Sequence, residues 1–166
     1  MLTPEEVLEQ GVPWDNLVEE YMSDLVLRPD GDVPFTGLAY ELSEDEKNLL
    51  FYGEYQGGLL HGISIFYYPN GNLKSKDTVF HGTGHGWSRR WDEQGNLIFL
   101  GEYIHGISAR FREWDGSGQL IDEKTEPDTI EIAIINQRSR ENQERWPEEA
   151  AGLTYDFLEN RGWPKE

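Results

Sequence analysis

A short phrase returns three times in the middle of this chain, and it limits the fold more than any other feature. It reads GEYQGGLLHG over Gly53–Gly62, FHGTGHG over Phe80–Gly86 and GEYIHG over Gly101–Gly106. Each copy ends in His-Gly, and each His-Gly opens a stretch with aromatic or aliphatic residues at alternate positions. Such self-similarity marks stacked supersecondary units, none of which can bury its apolar face alone. Aligned on the closing glycine, Tyr67 and Gly71 follow Gly62 by five and nine residues, and Trp91 and Gly95 follow Gly86 at the same offsets. Phe111 follows Gly106 by five, with the next turn glycine delayed to Gly118. An earlier, weaker copy starts at Gly37, with Tyr40 and Leu42 downstream.

Alternation assigns the faces. Ile63, Ile65 and Tyr67 share one side of a strand, as do Trp87, Arg89 and Trp91, and then Ile107, Ala109 and Phe111. A period of two is that of a half-buried strand. The stretches 69–72 (PNGN), 93–96 (EQGN) and 115–118 (DGSG) carry turn residues that tolerate positive φ. Leu73, Leu97 and Leu120 begin the returning strands, and Tyr67, Trp91 and Phe111 are expected to stack in successive repeats. The expected fold is mainly β: a single-layer antiparallel meander of repeated hairpins with short helical caps at both ends.

Three segments follow. Residues 1–33 form a helical cap and a lead-in strand. Thr3-Pro4-Glu5-Glu6 reads as a helix start with Thr3 as N-cap, and Gly11 ends that helix. Leu17, Val18, Tyr21 and Met22 share a helical face and predict a second helix before Leu25–Leu27. Residues 34–126 hold the hairpin repeats, with Glu44–Glu46 read as an insertion between the first two hairpins. Residues 127–166 form the C-terminal cap. In it, alternation of Ile130, Ile132 and Ile134 predicts a final strand, 138–145 is too polar for a core element and either loops or extends a helix, and a helix is predicted over Pro147–Leu158.

Six Trp, eight Tyr and seven Phe in 166 residues suit an aromatic-stacked array. The chain has no cysteine, hence no disulfide framework and no thiolate chemistry. It shows no basic, apolar leader and no membrane-length apolar run, so the expected compartment is the cytoplasm. His61, His85 and His105 invite a metal site. Read as equivalent positions of stacked repeats they would stand roughly 5–10 Å apart, too far to converge on one ion, so no metal and no cofactor is expected. The glycine-rich His81–Gly86 lacks the Lys-Ser/Thr of a phosphate loop. Glu54 and Glu102 recur beside the aromatic of the GEY phrase and read as surface or turn residues. No catalytic set emerges, and hydrolase activity is the weakest of the readings considered.

These residues carry a resemblance. Tyr55–Gly62, Ile63–Gly71, Phe80–Gly86, Trp87–Gly95 and Tyr103–Gly106 resemble the MORN-type repeats, in their variant form. That pattern is an aromatic, a glycine three later and a second glycine four beyond. Tyr55, Gly58 and Gly62 meet it; Phe80, Gly82 and Gly86 are one residue short; Tyr103–Gly106 lacks the first glycine. The resemblance spans roughly 34–123. It implies a hairpin scaffold, and it is similar to that of bacterial antitoxin components of toxin–antitoxin pairs.

Charge supplies the remaining clue. The chain holds 32 acidic against 14 Lys/Arg residues, net −18. The excess is uneven: residues 1–50 carry 13 acidic and two basic residues, net −11, and residues 51–126 ten and seven, net −3. Such a surface repels nucleic acid and anionic bilayers and steers a basic protein. The expectation is a non-enzymatic protein-binding module, foremost an antitoxin or immunity protein that neutralises a toxin such as a basic nuclease. The alternative is a scaffold or adaptor for a cellular protein. Asp15, Glu19, Glu20 and Asp24, close in sequence to Trp14 and Tyr21, are the candidate partner-binding residues.

Overall fold

The computed structural model describes residues 1–150 and 162–164. It begins with helix α1 (Pro4–Gln10), held by the expected capping box: Thr3 accepts from the Glu6 amide, and the Glu6 carboxylate accepts from the Thr3 amide. Short strands β1 (Val12–Pro13), β2 (Val18–Glu19) and β3 (Val26–Leu27) follow. The long elements are β4 (Gly37–Leu42), β5 (Leu49–Gln56), β6 (Leu59–Tyr67) and β7 (Leu73–Phe80). Then come β8 (Thr83–Gly84), β9 (Gly86–Trp91), β10 (Leu97–Ile104), β11 (Ile107–Trp114) and β12 (Leu120–Lys124). Helix α2 (Thr129–Arg145) closes the series.

Ten strands make one open sheet in the order β1-β4-β5-β6-β7-β9-β10-β11-β12, with β8 pairing β7. From β4 onward neighbours are antiparallel and sequential, as a meander requires; β1 lies parallel on β4, which the sequence did not indicate. The helix expected over 17–22 is absent. Trp14–Asn16 is a 3₁₀ turn, and Val18–Glu19 pairs with Val26–Leu27 as a separate small hairpin. Tyr21 and Met22 project from its tip instead of sharing a buried face.

Turn chemistry explains the period. At one sheet edge the tight turns are Gly57-Gly58, His81-Gly82 and His105-Gly106, with φ of 57 and 84, 45 and 77, and 48 and 80. Two successive positive φ values identify type I′ hairpins, whose twist matches the flanking strands. At the other edge the five-residue turns Tyr68–Asn72, Asp92–Asn96 and Asp115–Gln119 share one bonding pattern, each closed by two backbone hydrogen bonds. Ser43–Asn48 repeats that pattern with one residue more, Glu46 taking the left-handed position at φ 58. Glu44–Glu46 is therefore a repeat turn and not an insertion.

These turns correct the alignment. Gly106 is the counterpart of Gly58 and Gly82, not of Gly62 and Gly86. His105 matches His81, while His61 matches His85, so the three histidines read as equivalent are not. Tyr67, Trp91 and Trp114 each precede an equivalent turn and pair with Leu73, Leu97 and Leu120. Trp114, not Phe111, is thus the third member of that series. The register slips between Glu102 and Tyr103, which pair with Arg110 and Ser108. The slip puts Arg110 and Arg112 on the Trp87–Trp91 face, and Phe111 stacks on Phe99 at 5.9 Å on the other side.

Each face is covered at one end. On the first, Val7 of α1 packs with Leu49, Tyr52 and Ile65, with Ile63 and Tyr67 beside them. On the second, the segment before β4 packs Val26 and Phe35 with Ala39, Trp14 and Tyr55. The Ile130–Ile134 segment is helix, not strand. Asp128 caps α2 by accepting from the Ile130 and Glu131 amides, and Ile135 is buried against Ile104 and Ala109. Residues 138–145 extend that helix. The helix expected over Pro147–Leu158 falls mostly outside the described residues.

Phe51 lies across Gly53 and Phe99 across Gly101, so a β-carbon at Gly101 would meet the Phe99 ring at 2.7 Å. Gly101→Ala is expected to cost about 1–3 kcal/mol by overpacking. A urea midpoint equal to that of the parent would show the ring is free to swing away.

Candidate functional site

The candidate partner-binding carboxylates sort around one aromatic ring. Trp14 sits edge-on to Phe51 at 6.3 Å and against Tyr55 at 5.9 Å, which fixes it beside β5. On one side it borders a depression of about 460 Å³ lined by Asp15, Glu41, Glu44 and Glu46. On the other it borders a second, of about 370 Å³, lined by Glu19, Asp24, Leu25 and Tyr55. Asp15 is therefore grouped with the β4–β5 turn, and only Glu19 and Asp24 share a hollow. Glu20 stands at the β2–β3 tip, accepting from the Ser23 hydroxyl at 2.6 Å. All four are exposed. Burial, with Glu19 nearby, pushes the Tyr55 hydroxyl up to about 12. At the tip Tyr21 is 90% and Met22 88% exposed.

The far end of the sheet is different in chemistry. Trp91 and Trp114 face a groove of about 510 Å³ floored by Arg89 and Leu100, with the two turns at 95–96 and 116–118 as rims and Pro164 as a wall. Arg110 lies over the rings of Trp87 at 5.0 Å and Trp163 at 5.2 Å, and Arg112 over Trp163 at 4.2 Å. Beneath them Glu102 is fully buried and accepts from Arg110 Nε at 2.7 Å. Glu102 is thus a core residue, contrary to the surface reading; Glu54, its counterpart, is exposed.

The hairpin-turn edge gathers the histidines. His105 is 1% exposed and is held by α2. Asn142 Nδ2 donates to its Nδ1 at 2.8 Å, so Nε2 carries the proton and donates to Ser139 Oγ at 2.8 Å. Arg138 donates to the His105 carbonyl. His85 Nδ1 accepts from the His105 amide, and burial, then His105, lowers the His85 ring to about 4. Further along, Phe80 packs between His61 and Trp146, and Trp146 stacks flat on His81 at 4.1 Å. The sequence did not bring Glu149 here, yet its carboxylate lies 2.6 Å from His81 Nε2. The signal for α2 was present as Asp128 with Glu131 three residues on, a capping box. The link to Glu149 spans 68 positions and left no local mark.

The glycine residues singled out by the repeat are backbone elements: Gly62, Gly71, Gly86, Gly95 and Gly106 all hold positive φ. The family described as MORN repeat variant matches residues 60–80, which cover β6, the turn after it and β7. A MORN-type repeat motif is therefore present there. No curated protein and no solved structure matches the chain. No helix among the described residues is long and apolar enough to cross a membrane.

Proposed function

We propose that this protein is a non-enzymatic binding module that holds a basic protein partner in the acidic hollows either side of Trp14. One observation carries the reading: a fixed ring flanked by two carboxylate-lined depressions, with Tyr21 and Met22 standing free just beyond. Exposed aromatic and thioether groups among charges are the material of interface anchors. The repeat sheet supplies a stiff platform, and the acid excess of the first 50 residues speeds encounter with a positive partner. Antitoxin or immunity function is the form of binding we favour, in the cytoplasm and against a basic enzyme such as a nuclease. A scaffold would bind the same way but leave the partner's activity intact.

The test is kinetic. With a basic partner recovered by affinity capture and then purified, the association rate should fall steeply between 0.05 and 0.5 M salt, since screening acts over about 10 Å at 0.1 M. Glu19→Lys with Asp24→Lys should slow it at least about tenfold further, with unfolding midpoints unchanged. Indifference to both salt and reversal would overturn the acidic-surface reading. Loss of the partner's catalytic activity on binding separates neutralisation from scaffolding.

A further inference from the structure

We propose that His61, His81 and Glu149 form a binding site for a divalent borderline transition metal, zinc foremost, that clasps the hairpin-turn edge to the segment after α2. One ligand atom from each lies within 4.8 Å of the other two. His81 Nε2 and Glu149 Oε2 are 2.6 Å apart, and the His61 and His81 rings meet edge-on at 4.5 Å. Two imidazoles and one carboxylate are a characteristic zinc set, leaving a fourth position open. Tetrahedral ligands at about 2.0–2.1 Å stand about 3.3 Å from one another, so the His81–Glu149 pair would open by about 0.7 Å and the wider pairs would close by up to about 1.5 Å.

A second observation is independent of proximity. His61 Nδ1 is buried and has no hydrogen-bond partner among the described residues. Buried polar atoms in folded proteins are as a rule hydrogen-bonded, so an orphan nitrogen on a ring of this cluster points to a group still to be bound. The surroundings also resemble an outer shell. Gln56 Nε2 donates to the second Glu149 oxygen at 3.3 Å, orienting the carboxylate, and Trp146 lies parallel to the His81 ring at 3°. The His81 backbone is set by the type I′ turn. His105 is unsuited, since both its ring nitrogens are already bonded to α2. This trio differs from His61, His85 and His105, whose spacing argued against convergence.

The full chain, stripped with chelator and dialysed, should take up one equivalent of zinc by calorimetry, with a melting temperature raised by several degrees (roughly 2–8 °C) at saturation. Cobalt(II) should give the intense visible bands of a four- or five-coordinate site. His61→Gln and His81→Asn should abolish both signals; asparagine is chosen because it tolerates the positive φ. Glu149→Gln, at an exposed position, should weaken zinc at least about tenfold with the fold intact, so the test survives even if His81→Asn does not fold. His85→Asn should leave binding unchanged. Zinc affinity no tighter than millimolar, or equal in parent, His61→Gln and Glu149→Gln, would overturn the site.

Discussion

Replacing Arg110 by methionine is expected to destabilise the protein by about 3–5 kcal/mol, because it strands a carboxylate inside the sheet. Glu102 is fully buried, and Arg110, itself 8% exposed, reaches it at 2.7 Å while packed between the rings of Trp87 and Trp163. Methionine preserves much of the side-chain bulk, so the loss reads out the charge more than the packing. The desolvation cost of Glu102 is then no longer offset by its partner. Adding Glu102→Gln to Arg110→Met should recover a substantial part of the loss, since the neutral amide is far cheaper to bury. Urea unfolding followed by tryptophan fluorescence measures all three variants. If single and double variants lose the same stability, the ion pair contributes nothing and packing alone explains the position.

That pair also shows where the repeat was legible and where it was not. The strand alternation, the turns at 69–72, 93–96 and 115–118, and the N-terminal capping box all follow from local residue chemistry, and the sheet reproduces them. The register of the last repeat does not. Alignment on the closing His-Gly places Gly106 with Gly62. The aromatic-to-glycine spacing of Tyr55–Gly58 and Tyr103–Gly106 aligns it with Gly58, and the φ values agree. The conflict arises because the last repeat has lost its second glycine. Where Glu54 lies against Gly62, Glu102 meets Arg110. A bulge there moves Phe111 to the opposite face, and no alternation pattern survives such a slip. The isoleucines of 130–134 misled in another way. Over five residues, alternation and a helical stripe overlap, and the buried member proved to be Ile135. The stripe continues through Ser139, Asn142 and Trp146, polar or amphipathic residues suited to a histidine-lined edge and not to a greasy core. The acidic character around Trp14 was legible as composition. Its division into two hollows was not, because Asp15 meets Glu41, Glu44 and Glu46 only once β4 and β5 pair.

Acid should weaken this fold before most carboxylates titrate, and His85 should be a principal cause. Its ring sits in the hairpin edge against His105 and Phe80 and titrates near 4, against an ordinary 6.5. The unfolded chain therefore takes up a proton at this position at a pH where the native protein does not. Stability from keeping His85 neutral is complete above about pH 6.5, falls as pH drops through 6.5 toward 4, and is exhausted below that. Between pH 7.5 and 4.5 the loss from this ring alone is about 2–3 kcal/mol. The geometry gives the same sign: His85 Nδ1 accepts from the His105 amide at 3.3 Å, and a proton there would remove that acceptor. His85→Asn keeps an oxygen near the Nδ1 position without titrating. Denaturant titrations at the two pH values should show the parent losing about 2–3 kcal/mol more than the variant. Parallel losses would mean that the ring protonates freely in the folded protein, and that its packing against His105 and Phe80 does not hold it neutral.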